Sequence, residues 1–304
     1  MTTTRTYQIR FIVGSRKLFG SDRQLIPVVW TLEDLIAQTT PAMPACAGAD
    51  GYQLSSPPAA AVEAILARHP GWLVGARSDY ARHYICLDGS YEDYLAQFSG
   101  KTRSTLRRKT RKFAEADGGT LDLRCYRTPE EVAEFMRLVR PLNESTYQTR
   151  LLGVGLPTDK QAEQEAIRLA EQDALRAFLL FLHGQPVAYL YLPARDETLL
   201  YLYLGYAPDH AHLSPGTVLQ LAALEQLFAE GRFRYFDFTE GSGAHKAKFG
   251  THSIDCCSFI LLRPTPANRL LLGSLDAFDA AVATARTMVE KLGGNSLARR
   301  LLRG

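Results

Sequence analysis

Three apolar runs in close succession constrain this chain more than any other feature: RAFLLFL at 176–182, VAYLYL at 187–192 and LLYLYLGY at 199–206. The linkers between them are His183-Gly184-Gln185-Pro186 and Ala194-Arg195-Asp196-Glu197-Thr198. Both are too short for a crossover helix, so the three strands must form an antiparallel meander. A helix, PGTVLQLAALEQLFAEG at 215–231, comes next, followed by the strand FRYFDF at 233–238. The loop TEGSGAHKAKFG at 239–250 then leads into a last strand, CCSFILLR at 256–263. Strands that pair with near neighbours, interrupted by returning helices, specify the α/β class: a mixed, largely antiparallel sheet flanked by helices.

The upstream half is weaker in signal. YQIRFIV at 7–13 and QLIPVVW at 24–30 read as strands, with a short helix at 31–38 capped by Thr31. A stretch rich in Pro, Ala and Gly at 39–60 reads as loop, AAAVEAILARH at 59–69 as helix and HYICLD at 83–88 as strand. YEDYLAQFSGKTRSTLRRKTRKFAEA at 91–116 reads as one long helical stretch, stopped by Gly118-Gly119. A strand at 121–126 and helices from Thr128-Pro129 and over 159–174 complete the approach to the meander. Beyond it, 268–292 is an amphipathic helix followed by a short basic tail.

Composition narrows the partners. A net charge of +3 on 304 residues is too small for the chain as a whole to be built for a polyanion. Five cysteines with no CxxC spacing argue against a disulfide framework or a structural metal, and fit the reducing cytoplasm. No run of eighteen apolar residues exists to span a membrane, and the N-terminus lacks the pattern of a secretory signal. No GxSxG elbow is present for a hydrolase, and Cys256-Cys257 reads as strand packing.

Three constellations carry chemistry. Ser214-Pro215-Gly216-Thr217-Val218 places a helix N-terminus directly after the central strand, where amides without intrahelical partners can meet a pyrophosphate. An efficient helix start is the competing reading of that motif. Lys101, Arg103, Arg107, Arg108, Lys109, Arg111 and Lys112 put seven cations in twelve residues without an acid, with Arg103, Arg107 and Arg111 at i, i+4, i+8 positioned to grip an anion. Like charges at that spacing cost about 0.2–0.5 kcal/mol per pair, so a solvated face is not a free alternative. Asp237, Glu240, His245 and Lys246 lie just after a strand, in a segment with glycines that let the backbone fold back. These residue types can move protons and hold charge: Glu240 or His245 as a base, Lys246 as a cation where negative charge develops, and Tyr206, at the end of the strand before the 215–231 helix, as an acid. Asp237 also reads as a strand-end acid capping the loop, and His245 as a solvated loop imidazole.

With those residues in view, the chain from about Ile85 to Arg263 resembles the GNAT-fold proteins of the CelD/BcsL group, the acetyltransferases of cellulose or exopolysaccharide biosynthesis. It is more distantly similar to FemAB-type transferases. The segments that carry the likeness are 87–119, 201–231 and FDFTEGSGAHKAKFG at 236–250, including Lys246-x-x-Phe249-Gly250. The resemblance implies two GNAT-like halves: a degenerate one over 1–119 and a complete acyltransferase half over 120–263, with 264–304 as a C-terminal helix and tail. It implies acyl-CoA or acetyl-CoA laid across Leu204 and the start of the 215–231 helix, and an amine or sugar acceptor. The family's phosphate loop, Gln/Arg-x-x-Gly-x-Gly/Ala, is not completed around Gly216, and His245 stands where the family often has Tyr. Those departures leave room for an acyl carrier protein or a charged tRNA as donor, or for a non-catalytic protein that binds an anionic partner.

Overall fold

The computed structural model describes residues 4–13, 16–145 and 155–291. They form two compact units, one of Met1–Arg82, Glu240–Ser242 and Ile254–Gly304, the other of His83–Thr239 and Gly243–Ser253. These contact-defined units are a different division from the halves at 119 and 263 that the resemblance implies.

The first unit begins with β1 (Arg5–Val13) and β2 (Arg16–Val29), paired antiparallel. Helix α1 (Leu32–Ile36) is capped by Thr31, whose hydroxyl and amide exchange hydrogen bonds with Asp34 in a capping box. Residues 39–60 are not all loop: β3 (Gly51–Ser55) lies parallel to β2. Flanking prolines hide this five-residue run in the sequence, yet four of its residues are buried. A 3-10 turn at Ala59–Ala61 leads into α2 (Val62–Ala67), and β4 (Leu73–Cys86) starts ten residues before the strand expected at 83–88. Its outer half carries Arg77, Ser78 and Asp79 and so lacks an apolar signature.

In the second unit the stretch 91–116 is two helices, α3 (Tyr91–Ala96) and α4 (Gly100–Ala116). Ser99 breaks them by capping the Thr102 amide at 3.2 Å, while the Arg103 guanidinium ties down the carbonyls of Ala96 and Phe98 at 3.0 and 2.9 Å. Next come β5 (Asp122–Tyr126), α5 (Pro129–Ser145), α6 (Lys160–Glu171), β6 (Leu175–Leu182), β7 (Gln185–Arg195), β8 (Thr198–Leu200) and β9 (Tyr203–Tyr206). A 3-10 segment at Pro208–Leu213 precedes α7 (Pro215–Glu230), β10 (Tyr235–Asp237) and α8 (Ala244–Phe249). The sheet of this unit runs from the end of β4 through β10, β8, β7 and β6 to β5, with β9 paired to β7. All its pairings are antiparallel except β10 with β8. Every residue of β6 is buried, as a central strand covered on both faces requires. One face packs on α7, α3 and α4 around Phe178, Leu190 and Leu224, the other on α5 and α6 around Phe135 and Leu179.

The chain then returns to the first unit in β11 (His252–Leu262), antiparallel to β3, and α9 (Pro266–Lys291). Phe278 of α9 meets Phe11 of β1 edge-on at 5.4 Å. The basic tail after residue 292 lies outside the described residues.

Candidate functional site

The apolar run 199–206 is not one strand. β8 follows β10 in parallel from Thr198 to Leu200, with the Tyr201 amide closing the ladder on Asp237 O at 2.8 Å. After Leu202 the chain changes partner, and β9 pairs with β7 alone. Past Asp237 the neighbouring strand stays with β4, the Phe238 amide donating to His83 O in the same register. A strand opening is left between β9 and β10. The pairing register decides which groups face it. The Ala207 amide donates to Val187 O, so the hydrogen-bonded pairs alternate through Gly205↔Tyr189 and Tyr203↔Tyr191. Leu204 and Tyr206 therefore turn their amides and carbonyls to the open edge, where they meet no backbone partner among the described residues.

Helix α7 starts at that opening. Ser214, its N-cap, sits in the left-handed region at φ 57°, ψ 44°, and its hydroxyl caps nothing. For a non-glycine residue such a backbone is costly and tends to persist where it serves a site. The amides of Thr217 and Val218, both expected as phosphate donors, are instead taken by Ser214 O at 3.0 and 3.2 Å. Pro215 has no donor, so Gly216 is the first-turn amide left over. Gly216 is also a packing residue. A Cβ there would stand 3.0 Å from Leu204 Cδ2 and 3.2 Å from Tyr206 Cδ1, so its smallness lets α7 approach β9.

Asp237 is buried at the end of β10 and accepts the Thr239 amide at 2.8 Å, the loop-capping geometry, while Thr239 itself has φ 60°. The loop expected at 239–250 folds into α8, which carries His245 and Lys246. The His245 imidazole stands 5.7 Å from the Tyr201 ring and 6.4 Å from Phe238. It is exposed, yet desolvation by these neighbours, and then the Lys246 charge, lowers its pKa below the ordinary imidazole value. That lowering favours the neutral imidazole, the form that accepts a proton. Burial pushes the Tyr201 hydroxyl well up, so it stays protonated. Tyr201 is the residue that reading the sequence missed. It is one of several alternating strand tyrosines, and nothing local marks it as the point where the strand changes partner. Tyr206 is 41% exposed, its ring beside Gly216.

Glu240 belongs to the other unit. Its carboxylate accepts the Ser258 hydroxyl at 3.2 Å, and Ser258 Oγ in turn accepts the Ser56 amide at 3.1 Å. The single Ser258 proton is thus committed, so the Tyr80 hydroxyl 2.9 Å away must donate to Ser258. The Ser56 hydroxyl, 2.7 Å from Tyr80 Oη, donates in the same direction. Three hydroxyls in a row point at one carboxylate. By contacts, Glu240 is counted with the first unit, and His245 and Lys246 with the second.

Arg103 is bound to backbone carbonyls, Arg107 lies 3.9 Å from Glu92 and Arg111 3.6 Å from Glu115. Among the described residues no cluster of three or more His, Cys, Asp or Glu side chains could hold a metal ion, and no helix is long and apolar enough to cross a membrane.

Comparison with known proteins adds to this geometry. No curated protein compared matches the chain. The C-terminal domain (DUF2156) of a proposed lysylphosphatidylglycerol synthetase from Agrobacterium fabrum is similar in structure, with TM-score 0.50 and 13% identity over 75% of this chain and 73% of that one. FemX is similar with TM-score 0.50 and 11% identity, over 88% of this chain and 90% of its own. At such identities the likeness is one of fold. Residues 100–247 match the acetyltransferase (GNAT) domain model, a stretch that includes α4, the β9 opening, the start of α7 and His245, and the chain carries a GNAT-like fold.

Proposed function

We propose that the second unit is an acyltransferase that moves an acyl group from acyl-CoA to an amine, with a sugar amine or hydroxyl as the acceptor class that the CelD/BcsL resemblance suggests. One observation carries this reading: β9, unlike β8, does not pair with β10, and it turns the Leu204 and Tyr206 amides onto the open edge ahead of α7. An extended acyl-pantetheine arm fits such an edge as an added strand would, with its carbonyl oxygen on the Leu204 amide. The Gly216 amide and the positive end of α7 then meet the donor's phosphates. His245 takes the proton that the acceptor amine must lose, and Lys246 beside it offsets negative charge. A tyrosine hydroxyl, that of Tyr206 at the opening or of Tyr201 beside His245, returns a proton to the leaving thiolate.

A second reading takes the acyl group from an acyl carrier protein or, in the manner of FemAB-type transferases, from a charged tRNA. The occupied Thr217 and Val218 amides favour it, because one remaining amide is a thin cradle for a pyrophosphate.

Acetyl-CoA titrated into the chain should raise its Tm, by the equivalent of about 2.7 kcal/mol at a hundredfold excess over Kd. Thiol release in the presence of a panel of amines should fall about 10²–10⁴-fold in His245→Gln with acetyl-CoA binding unchanged. An unchanged Tm directs the test to charged tRNA and acyl carrier protein. If none of the three donors binds, the transferase assignment fails. If the donor binds but His245→Gln turns over at the wild-type rate, the base lies elsewhere, and Glu240→Gln is the next variant.

A further inference from the structure

No backbone requirement explains the glycine that starts α8. Gly243 is the N-cap of that helix, with φ −158° and ψ 131°, an extended conformation that any residue adopts. It offers no side-chain cap, and a serine or asparagine would start the helix at least as well. What the missing side chain leaves is room for a neighbour. A Cβ there would stand 3.1 Å from Cε1 and 3.2 Å from Nδ1 of His245, and 3.5 Å from Cγ of Lys246. The lysine distance is an ordinary van der Waals contact. The two imidazole distances are tighter than a Cβ normally meets, so the ring would have to give by a few tenths of an ångström. The ring's other neighbours decide which way. Tyr201 and Phe238 stand 5.7 and 6.4 Å from it, and Tyr201, Phe236 and Phe238 pack on one another at 5.1–5.8 Å, with both phenylalanines fully buried. Those rings have no space to yield, whereas His245 borders solvent. A side chain at 243 would therefore turn the imidazole outward, off Tyr201 and Phe238.

We propose that Gly243 is a positioning residue: the space left by its missing side chain is where the His245 imidazole is held against Tyr201 and Phe238. That this serves proton transfer rests on the transferase reading; the positioning itself does not. Gly243 acts through His245 alone. Its own side is filled by imidazole atoms, its backbone is unstrained, and its half-buried place asks for no small residue. A base must stand within reach of the proton it takes, and a misplacement of about 1 Å can cost about 10²-fold in rate. A glycine two residues before the histidine thus sets both where the ring stands and how far it is desolvated, which is the surrounding that lowers its pKa.

Gly243→Ser in the full chain is the discriminating variant, because serine restores a cap to α8 while bringing the Cβ that the imidazole must avoid. Its Tm should match or exceed that of wild type. NMR titration of the His245 ring should show a pKa raised toward the ordinary imidazole value, since the displaced ring is better solvated. Thiol release from acetyl-CoA with an amine should fall by up to about 10²-fold, in kcat and with the acetyl-CoA Kd unchanged. In a His245→Ala background, where no ring remains to be displaced, the same substitution should leave the residual rate alone. Gly243→Ala repeats each measurement should the serine variant be poorly folded. An unmoved His245 titration in the folded variant overturns the proposal. So does a rate loss of equal size with and without the His245 ring, which would mean that Gly243 acts on another group. A raised His245 pKa with wild-type turnover leaves the positioning standing and removes His245 as the base. A raised pKa in a chain that binds no acyl donor leaves the positioning standing and removes the transferase reading.

Discussion

His245 shows how much of a residue's chemistry belongs to its surroundings. Its ring is desolvated against Tyr201 and Phe238 and sits beside Lys246, and both effects lower its pKa. The unfolded chain, where imidazole titrates near about 6.5, therefore takes up a proton at higher pH than the folded protein does. The stability this residue contributes is complete above that value and is lost as pH falls from there through the lowered folded value. Urea unfolding between pH 7.5 and pH 5 should accordingly show wild type losing more stability on acidification than His245→Asn, and parallel curves would refute it. The imidazole was legible as a candidate base, since a histidine after a strand end can be found by reading. Tyr201 was not, because period-two alternation assigns faces and not partners. Alternation puts Tyr201 and Tyr203 on one face, whereas Tyr201 meets Phe236 and Phe238 while Tyr203 turns to Tyr191.

The decisive elements are β9 and α4. β9 can leave β10 because it is held firmly from its other side. Gly205 lies opposite Tyr189, and a Cβ there would stand 2.4 Å from Tyr189 Cε1 and 2.7 Å from its hydroxyl. That ring cannot retreat, being fully buried with its hydroxyl donating to Asn143 Oδ1 at 2.7 Å. Gly205→Ala should cost about 1–3 kcal/mol and shift β9 enough to weaken acetyl-CoA binding. A thermal melt within about one degree of wild type would mean that β9 has slack the packing does not show. A glycine within a strand signals a close approach, though what approaches it is invisible in the sequence. In α4 the charge run and its cost were legible from spacing. Which cations it spends on its own chain was not, since their partners lie on α3, on the turn before α7 and further along α4 itself.

At the scale of the molecule, the second unit is held together by more than apolar layers. Arg176 on β6 is 2% exposed, and its guanidinium meets the Glu230 carboxylate at the end of α7, with Nε to Oε1 at 3.0 Å, and Asp173 at 2.7 Å. The end of α7 is thereby fixed to the central strand, which in turn fixes where its start meets β9. Removing one partner of a buried ion pair costs about 3–5 kcal/mol, and Asp173 remains, so Glu230→Ala should lose about 3 kcal/mol in chemical denaturation. A loss below about 1 kcal/mol would class the pair with surface bridges. The sequence by itself determined the α/β class, the meander and the helix after it, because periodicity, short linkers and caps act over a few residues. Only the tertiary structure decided that β8 and β9 serve different partners, that Ser214 O occupies the amides of Thr217 and Val218, and that Glu240 ends a chain of hydroxyls in the other unit. Most of these depend on groups far apart in sequence, such as Asp237 for Tyr201 and Ser56 for Ser258, and hydrogen bonding between distant segments leaves no pattern in either one.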